Sequence, residues 1–236
     1  MLKKVLIDQQ GNRYYWTKGD LHTSYGVVKE KDILEGSAVS HLGKKFICFD
    51  ALFIDQLVKI KRGPATLTLK DVGEIVARCG IGRTTKIVDA GTGSGTLALM
   101  LANISDHVTS YERNEETFKT AQDNAKMLDV NLELKNKDVT EGIDEKNVDV
   151  ITLDLLNPEN VLEHAKKSLK SGGFLVAYLP NINQVHHFVL EAQKLQFIQE
   201  RVIECIEREW VVEEKRLRPK HQMLGHTGFL VFLRKC

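Results

Sequence analysis

The spacing of hydrophobic positions changes once along this chain, near residue 65. Before that point apolar and polar residues alternate in short runs, KKVLID, NRYYWT, GVVKE and KKFICFDA, punctuated by Gly11, Gly19, Gly26, Gly36 and Gly43. Period-two runs bounded by glycine predict small antiparallel strands, so residues 1–64 read as a β-rich module. After KIKRGPATLTLKD the period lengthens. KDVGEIVARCGI sets Val72, Ile75, Val76 and Cys79 at helical spacing, with Gly80 and Gly82 as stops. From there the strand candidates TKIVDA, HVTSYE, LELKNKD, VDVITLDL and GGFLVAYLP alternate with helix candidates around TLALMLANI, EETFKTAQDNAKML, PENVLEHAKKSL and INQVHHFVLEAQKL. Strictly alternating elements predict an α/β domain over residues 65–236, a Rossmann-like, doubly wound and mostly parallel sheet. The tail brings the sheet to seven strands if FIQERVIECIEREWVVEE and TGFLVFLRK are strands six and seven, joined by the basic loop KRLRPKHQMLGH.

Composition narrows this only slightly. Of 236 residues 42% are hydrophobic and 28% charged, with a formal net charge of +1, which describes an ordinary folded chain and excludes disordered and collagen-like classes. A balanced average does not advertise nucleic-acid binding, yet RNA needs only a local basic surface. Two clusters offer one: Lys59, Lys61 and Arg62, and then Lys215, Arg216, Arg218, Lys220 and His221. A charge run is also commonly a solvated face. Cys48, Cys79, Cys205 and Cys236 form no CxxC pair, so the expectation is free thiols in a reducing, cytoplasmic setting, with no zinc site. No window approaches the roughly 20 apolar residues of a membrane span. His221 and His226 lack partners at ligand spacing, His186 and His187 fall on an amphipathic helix, and no metal is expected. Trp16 and Trp210 are read as packing residues.

The chemistry concentrates in VDAGTGSGTLALM, Val88 to Met100. This stretch joins the first strand to the first helix of the α/β domain, where the backbone comes nearest a ligand. Gly91, Gly93 and Gly95 permit positive φ and remove Cβ atoms, Thr92 and Ser94 fill the loop between them, and the helix start presents its amides. Asp89, just ahead of the first glycine, disfavours a dinucleotide pyrophosphate and favours a cofactor with a cationic methionine-like end, S-adenosylmethionine. Glu112, 23 positions further at the end of HVTSYER, stands near the offset where an acidic residue takes ribose hydroxyls. Asp138, after the third strand, is placed for an adenine amino group, although an Asp before a loop is also a common cap.

These residues resemble the class I methyltransferases, and further segments resemble, more narrowly, the tRNA adenine-N1 methyltransferases that modify the T-loop. In VITLDLLNPENVLEHAKKSLKSGGFLVAYLPNINQV, Asp154, Leu155 and Pro158 match the family's Asp-Leu-Pro-x-Pro-Trp-like signature, while Leu156 and Glu159 depart from its Pro and Trp. RPKHQMLGHTGFLVFLRK resembles the family's terminal His-Thr-Gly-Phe-Leu segment. KRGPATLTLKDVGEIV matches in part, with Ala65 in place of Gln and Leu69 in place of Pro. The resemblance spans residues 1–236 and implies S-adenosylmethionine as cofactor, tRNA as substrate, N1 of adenosine 58 (and 57, as in archaeal members) as target, and a homotetramer.

Methyl transfer to a neutral ring nitrogen needs alignment and water exclusion more than a strong base. The adenine has to leave its stack and be read on its Watson–Crick edge. Asp154, matching the signature at a strand end, is the candidate to accept from its N6 group and favour a cationic transition state; capping the helix near Pro158 is the alternative, for which Asn157 is better placed. Tyr178, Pro180 and Asn181 are candidates for the far wall of the base pocket, with Arg218 and His226 as further substrate contacts. Two other functions stay open: a precorrin decarboxylating methyltransferase, whose core lacks the β module and the HTGFL tail, and a non-catalytic RNA-binding subunit, which has no need of an intact glycine loop.

Overall fold

The computed structural model describes residues 1–33, 36–63 and 67–236. The chain divides into two compact units, Met1–Lys61 and Arg62–Cys236; the expected boundary at residues 64 and 65 lies outside the described residues. Among the described residues the first unit contains β1 (Lys4–Asp8), β2 (Arg13–Trp16), β3 (Leu21–Thr23), β4 (Gly26–Val28), β5 (Gly36–Val39), β6 (Lys45–Asp50) and the short α1 (Phe53–Gln56). An antiparallel sheet runs in the order β2-β1-β6-β5, and β3 pairs with β4 alone. Alternation decides its core: Phe46 and Cys48 of β6 point inward with Leu6, Trp16 and Val28, while Ile47 between them is exposed. The pattern does not announce β3 and β5, because LHT is too short to show a period and GSAV opens on two residues with low preference for strands.

The second unit holds α2 (Leu69–Cys79), β7 (Lys86–Ala90), α3 (Thr96–Ala102), β8 (His107–Tyr111), α4 (Glu115–Leu128), β9 (Glu133–Lys135), β10 (Val148–Leu153), α5 (Leu162–Ser168), β11 (Leu169–Leu179), α6 (Ile182–Lys194), β12 (Phe197–Glu204), β13 (Trp210–Glu213), β14 (Arg216–Pro219) and β15 (Phe229–Lys235). Its seven-stranded sheet has the order β12-β15-β11-β10-β7-β8-β9, and only the pairs made by β15 are antiparallel. The chain steps outward from β7 through β8 to β9, then returns to lay β10 on the other side of β7. That reversal opens a crevice at the carboxyl ends of β7 and β10, the place where such sheets bind ligands. Both strands are buried nearly throughout, as helix-covered parallel strands must be. α2 stops at Gly80, whose φ of 61° provides the left-handed cap.

The tail departs from expectation. FIQERVIECIEREWVVEE is two strands rather than one: β12 ends at Glu204, and β13 pairs with β14 as a separate hairpin that includes much of the expected basic loop. Cross-strand registry puts Trp210 opposite Pro219 and Val212 opposite Leu217 on one face. Trp210 is exposed there, so it is not a packing residue of this chain, whereas Trp16 is buried and donates its indole N–H to Gly19 O. The cations are partly neutralised, Arg216 by Glu213 and Lys220 by Glu209.

β15 enters the sheet between β12 and β11 beside a polar lock. Asp71 near the start of α2 is completely buried, and its carboxylate accepts from Thr68 Oγ1 (2.8 Å), Lys70 Nζ (2.8 Å) and Thr227 Oγ1 (3.1 Å). Lys70 also donates to Thr227 Oγ1, and Tyr178 of β11 donates its hydroxyl to Thr227 O at 2.6 Å. A Cβ on Gly228 would stand 2.5 Å from the Tyr178 ring. This contact set accounts for the Thr227-Gly228 pair. Asp71→Ala would leave Lys70 inside without its counter-charge, and urea unfolding should show a loss of about 3–5 kcal/mol; a loss below 1 kcal/mol would mean the lock is incidental.

Candidate functional site

The site is assembled from four strand ends. After β7 the chain turns at Gly91, whose amide and that of Thr92 both donate to Tyr111 O at the end of β8, while Asp154 N donates to Ala90 O from the end of β10. Gly91 has φ +91°, and a Cβ there would lie 2.1 Å from Asp154 O, so backbone passes against backbone where no side chain fits. Gly93, with φ +54°, has nothing nearer its missing Cβ than Gly91 O at 3.9 Å, which leaves its open side to the crevice. Gly95 begins α3, and Asn124 of α4 donates to Ser94 O, fixing the loop from behind.

Under this loop Asp89 is almost wholly buried. Its two oxygens accept from Ser110 of β8 (2.6 Å) and Thr152 of β10 (2.7 Å), the residues directly opposite it on either side. Since Ser110 spends its proton on Asp89, the Thr92 hydroxyl donates to Ser110 Oγ. Asp89 and Thr92 therefore brace the loop from below, and neither they nor Gly95 belong to the cleft wall as expected. Burial raises the Asp89 pKa, opposed by the two hydroxyl donors.

The cleft has a volume of about 410 Å³ and takes its walls from Gly91, Gly93 and Ser94, from Glu112 and Arg113, from Lys137 to Thr140, and from Asp154 to Asn157. Glu112 accepts from Gly93 N through Oε2 and from Asn114 N through Oε1, both at 2.9 Å, so the carboxylate is fixed with a lone pair left on each oxygen. Asp138 is both cap and wall: it accepts from Thr140 N and Oγ1 and pairs with Arg113, and these donors hold its pKa low. Asp154 is the opposite case. Its carboxylate makes no hydrogen bond among the described residues, and burial, then the nearby Asp89 charge, pushes its pKa up to about 7. Asn157 makes no side-chain cap either, so neither residue is consumed by the turn at Pro158. Arg113, Lys137 and Thr140 escape the sequence reading; their signal is position, two to five residues past strands β8 and β9.

The remaining expected substrate contacts lie elsewhere. Tyr178 is half-buried against the core and bonded to Thr227 O, the Asn181 side chain caps α6 by accepting from Gln184 N, and Arg218 lies on β14 with one N–H on Pro219 O. Pro180 O accepts from His226 Nε2, while His226 Nδ1 faces Glu204 Oε1, which raises the His226 pKa. None of the five is in the cleft wall, because the C-terminal segment engages three of them structurally and Asn181 serves its own helix. Among the described residues there is no cluster of His, Cys, Asp and Glu suited to a metal, and no helix long and apolar enough to cross a membrane. Gly91→Ala should lose roughly 1–3 kcal/mol from backbone strain alone, beyond the clash with Asp154 O, and should abolish binding in the cleft; unchanged denaturant stability would disprove the close approach.

Residues 65–221 match the family described as "tRNA methyltransferase complex GCD14 subunit". The chain is 37% identical to the tRNA (adenine(57)-N(1)/adenine(58)-N(1))-methyltransferase TrmI of Methanocaldococcus jannaschii, over 98% of this chain and 94% of that protein. Among solved structures, an S-adenosylmethionine-dependent O-methyltransferase from Thermotoga maritima superposes with a TM-score of 0.89 at 28% identity, covering 99% of this chain and 92% of that one. The tRNA (m1A58) methyltransferase TrmI from Aquifex aeolicus superposes with a TM-score of 0.85 at 25% identity, covering 99% and 96%.

Proposed function

Because the chain belongs to the tRNA methyltransferase family described as the GCD14 subunit, we propose that it methylates N1 of adenosine 58 in the T-loop of tRNA, and adenosine 57 as a second target, using S-adenosylmethionine. The carrying observation is similarity over 98% of the chain to an enzyme whose name states that reaction, joined to an acidic residue, Asp154, that stands in the wall of the cleft with no hydrogen-bond partner for its carboxylate among the described residues. Similarity over nearly the whole chain, N-terminal unit included, favours this over a precorrin methyltransferase. The intact glycine loop and fixed Glu112 favour an enzyme over a non-catalytic subunit.

The residues present fit the cofactor. Gly91, Gly93 and Ser94 offer backbone without bulk, the spare lone pairs of Glu112 suit ribose hydroxyls, and Asp138 suits an adenine amino group. When bound, S-adenosylmethionine supplies an electrophilic methyl carbon on a sulfonium. Asp154 accepts the N6 hydrogen of the target adenine, orients N1 and favours the positive charge that develops on the ring. Its ionised form is the one that accepts. Arg218 has N–H groups left for a phosphate, and Lys59 and Lys61 of the first unit and Arg62 of the second add cations for an RNA backbone. A homotetramer belongs to the proposal too: a free two-stranded hairpin with Trp210, Val212 and Leu217 exposed is marginal alone and stabilised by a second copy.

Incubating the protein with labelled S-adenosylmethionine and unmodified tRNA transcript should give 1-methyladenosine on nucleoside mass spectrometry. Asp154→Asn should lower kcat on the order of 100-fold or more with cofactor affinity preserved; cofactor binding without tRNA product would sink the reading. The pH profile carries a sign. Since the carboxylate is the active form, kcat/KM at low concentrations of both substrates should climb tenfold per pH unit up to about 7 and then level, the limb vanishing in Asp154→Asn. Stability runs the other way: with its pKa raised above the ordinary 3.8, folded Asp154 holds a proton the unfolded chain has released, so its contribution falls as pH rises from about 4 to 7. Asp154→Asn should thus be more stable than the wild type at pH 8.

A further inference from the structure

Beside the cleft, across Leu156, lies a second hollow of about 240 Å³ lined by Asn157, Pro158, Glu159, Asn183, Gln184 and His187. Leu156 and Asn157 line both spaces, so the two are neighbours divided by this pair. One wall is the turn Pro158–Val161; the other is the first part of α6. Val185, Phe188, Val189 and Ala192 are committed to the core, which leaves Asn183 and His187, four residues apart, on one exposed face. The side chains of Asn157, Glu159, Asn183 and His187 make no hydrogen bond among the described residues, and Gln184 uses only its carbonyl, accepting from Asn181.

This lining has a specific chemistry. Side-chain amides and an imidazole each offer donors and acceptors together, the complement of a nucleobase edge. Glu159 contributes the anionic charge of the lining, and no lysine or arginine stands there to receive a phosphate. The volume lies below the roughly 300–1,000 Å³ of drug-sized sites, so a single base fits where a nucleotide cofactor does not. An adenosine drawn out of its stack leaves a neighbour unstacked, and single-stranded RNA is commonly read through such splayed bases. Leu156, 77% exposed at the divide, presents an apolar side chain where two separated bases need one between them.

We propose that this hollow holds the nucleobase adjoining the target adenosine, with Leu156 as the partition between the two bases. The assignment rests on the tRNA methyltransferase reading. It makes α6 and the turn at Pro158 a determinant of substrate sequence, separate from the residues that hold the cofactor.

The test pairs protein and RNA changes. Transcripts carrying each of the four bases at either position flanking the methylated adenosine are compared between the wild type and an Asn183→Ala/His187→Ala variant, whose changes lie on an exposed helix face outside the core. The wild type should discriminate among bases at one flanking position by about tenfold in kcat/KM, and the variant should lose that discrimination and raise KM for tRNA about tenfold. Affinity for S-adenosylmethionine by calorimetry should not move, and Leu156→Ala should raise KM in the same way. A variant that keeps both its KM and its base preference overturns the proposal, as does a wild type indifferent to both flanking bases. Absence of 1-methyladenosine with the wild-type protein defeats the methyltransferase reading itself, a result distinct from either of those.

Discussion

A carboxylate buried among three strands sets the geometry on which the site depends. Asp89 is the penultimate residue of β7, just before the glycine loop, and hydroxyls from the strands on both sides, Ser110 and Thr152, donate to it. A charge in that position is tolerable only with such donors, so the three strands are held in register where the sheet reverses its winding. Thr92 joins the chain of hydroxyls through Ser110, which carries the constraint into the loop. The backbone bonds from Gly91 and Thr92 to Tyr111 and from Asp154 to Ala90 then close the strand ends around the crevice.

The same carboxylate shapes the electrostatics above it. Glu112 and Asp138 are fed by backbone amides and remain ready acceptors for a cofactor's hydroxyl and amino groups. Asp154 is buried with no such donor among the described residues and also feels the Asp89 charge from below, so its proton is held to near neutrality. Two kinds of acid thus share one cleft, separated by what donates to them rather than by residue type. The division suits the role proposed for each: fixed acceptors for the cofactor, and a poised one for the base.

The opposite flank of the sheet is governed by the C-terminal segment. A carbonyl accepts at His226 Nε2 and a carboxylate faces Nδ1, an arrangement that favours the doubly protonated ring and is strongest below the ordinary histidine pKa, weakening as pH rises through the raised value. With Thr227 on Asp71 and Gly228 on Tyr178, this segment fixes where β15 enters between β11 and β12. The departures from the family pattern fall into place differently. Leu69 is the first residue of α2, a position where proline is also accommodated, so the helix start is kept. Leu156 lines both the cleft and the hollow beside it, Glu159 lines that hollow, and Ala65 lies outside the described residues.

By itself the sequence determined the α/β architecture and the position of the cofactor loop, because hydrophobic period and glycine spacing are local properties of the chain, and VDAGTGSG with Glu112 carries its own backbone logic. It also brought Asp138 and Asp154 to strand ends, the places from which a doubly wound sheet faces its ligand. Roles that depend on distant partners needed the tertiary structure. Asp89 is an acidic residue beside a glycine loop in either case, and only the registry of β7 between β8 and β10 turns it inward to be a brace. Tyr178, Pro180 and His226 have the chemistry of substrate contacts, but residues up to 49 positions away claim them. The tail shows the same limit: the break between β12 and β13 and the exposure of Trp210 follow from which strand finds a neighbour, and pairing between strands is a contest among remote segments that no local period records.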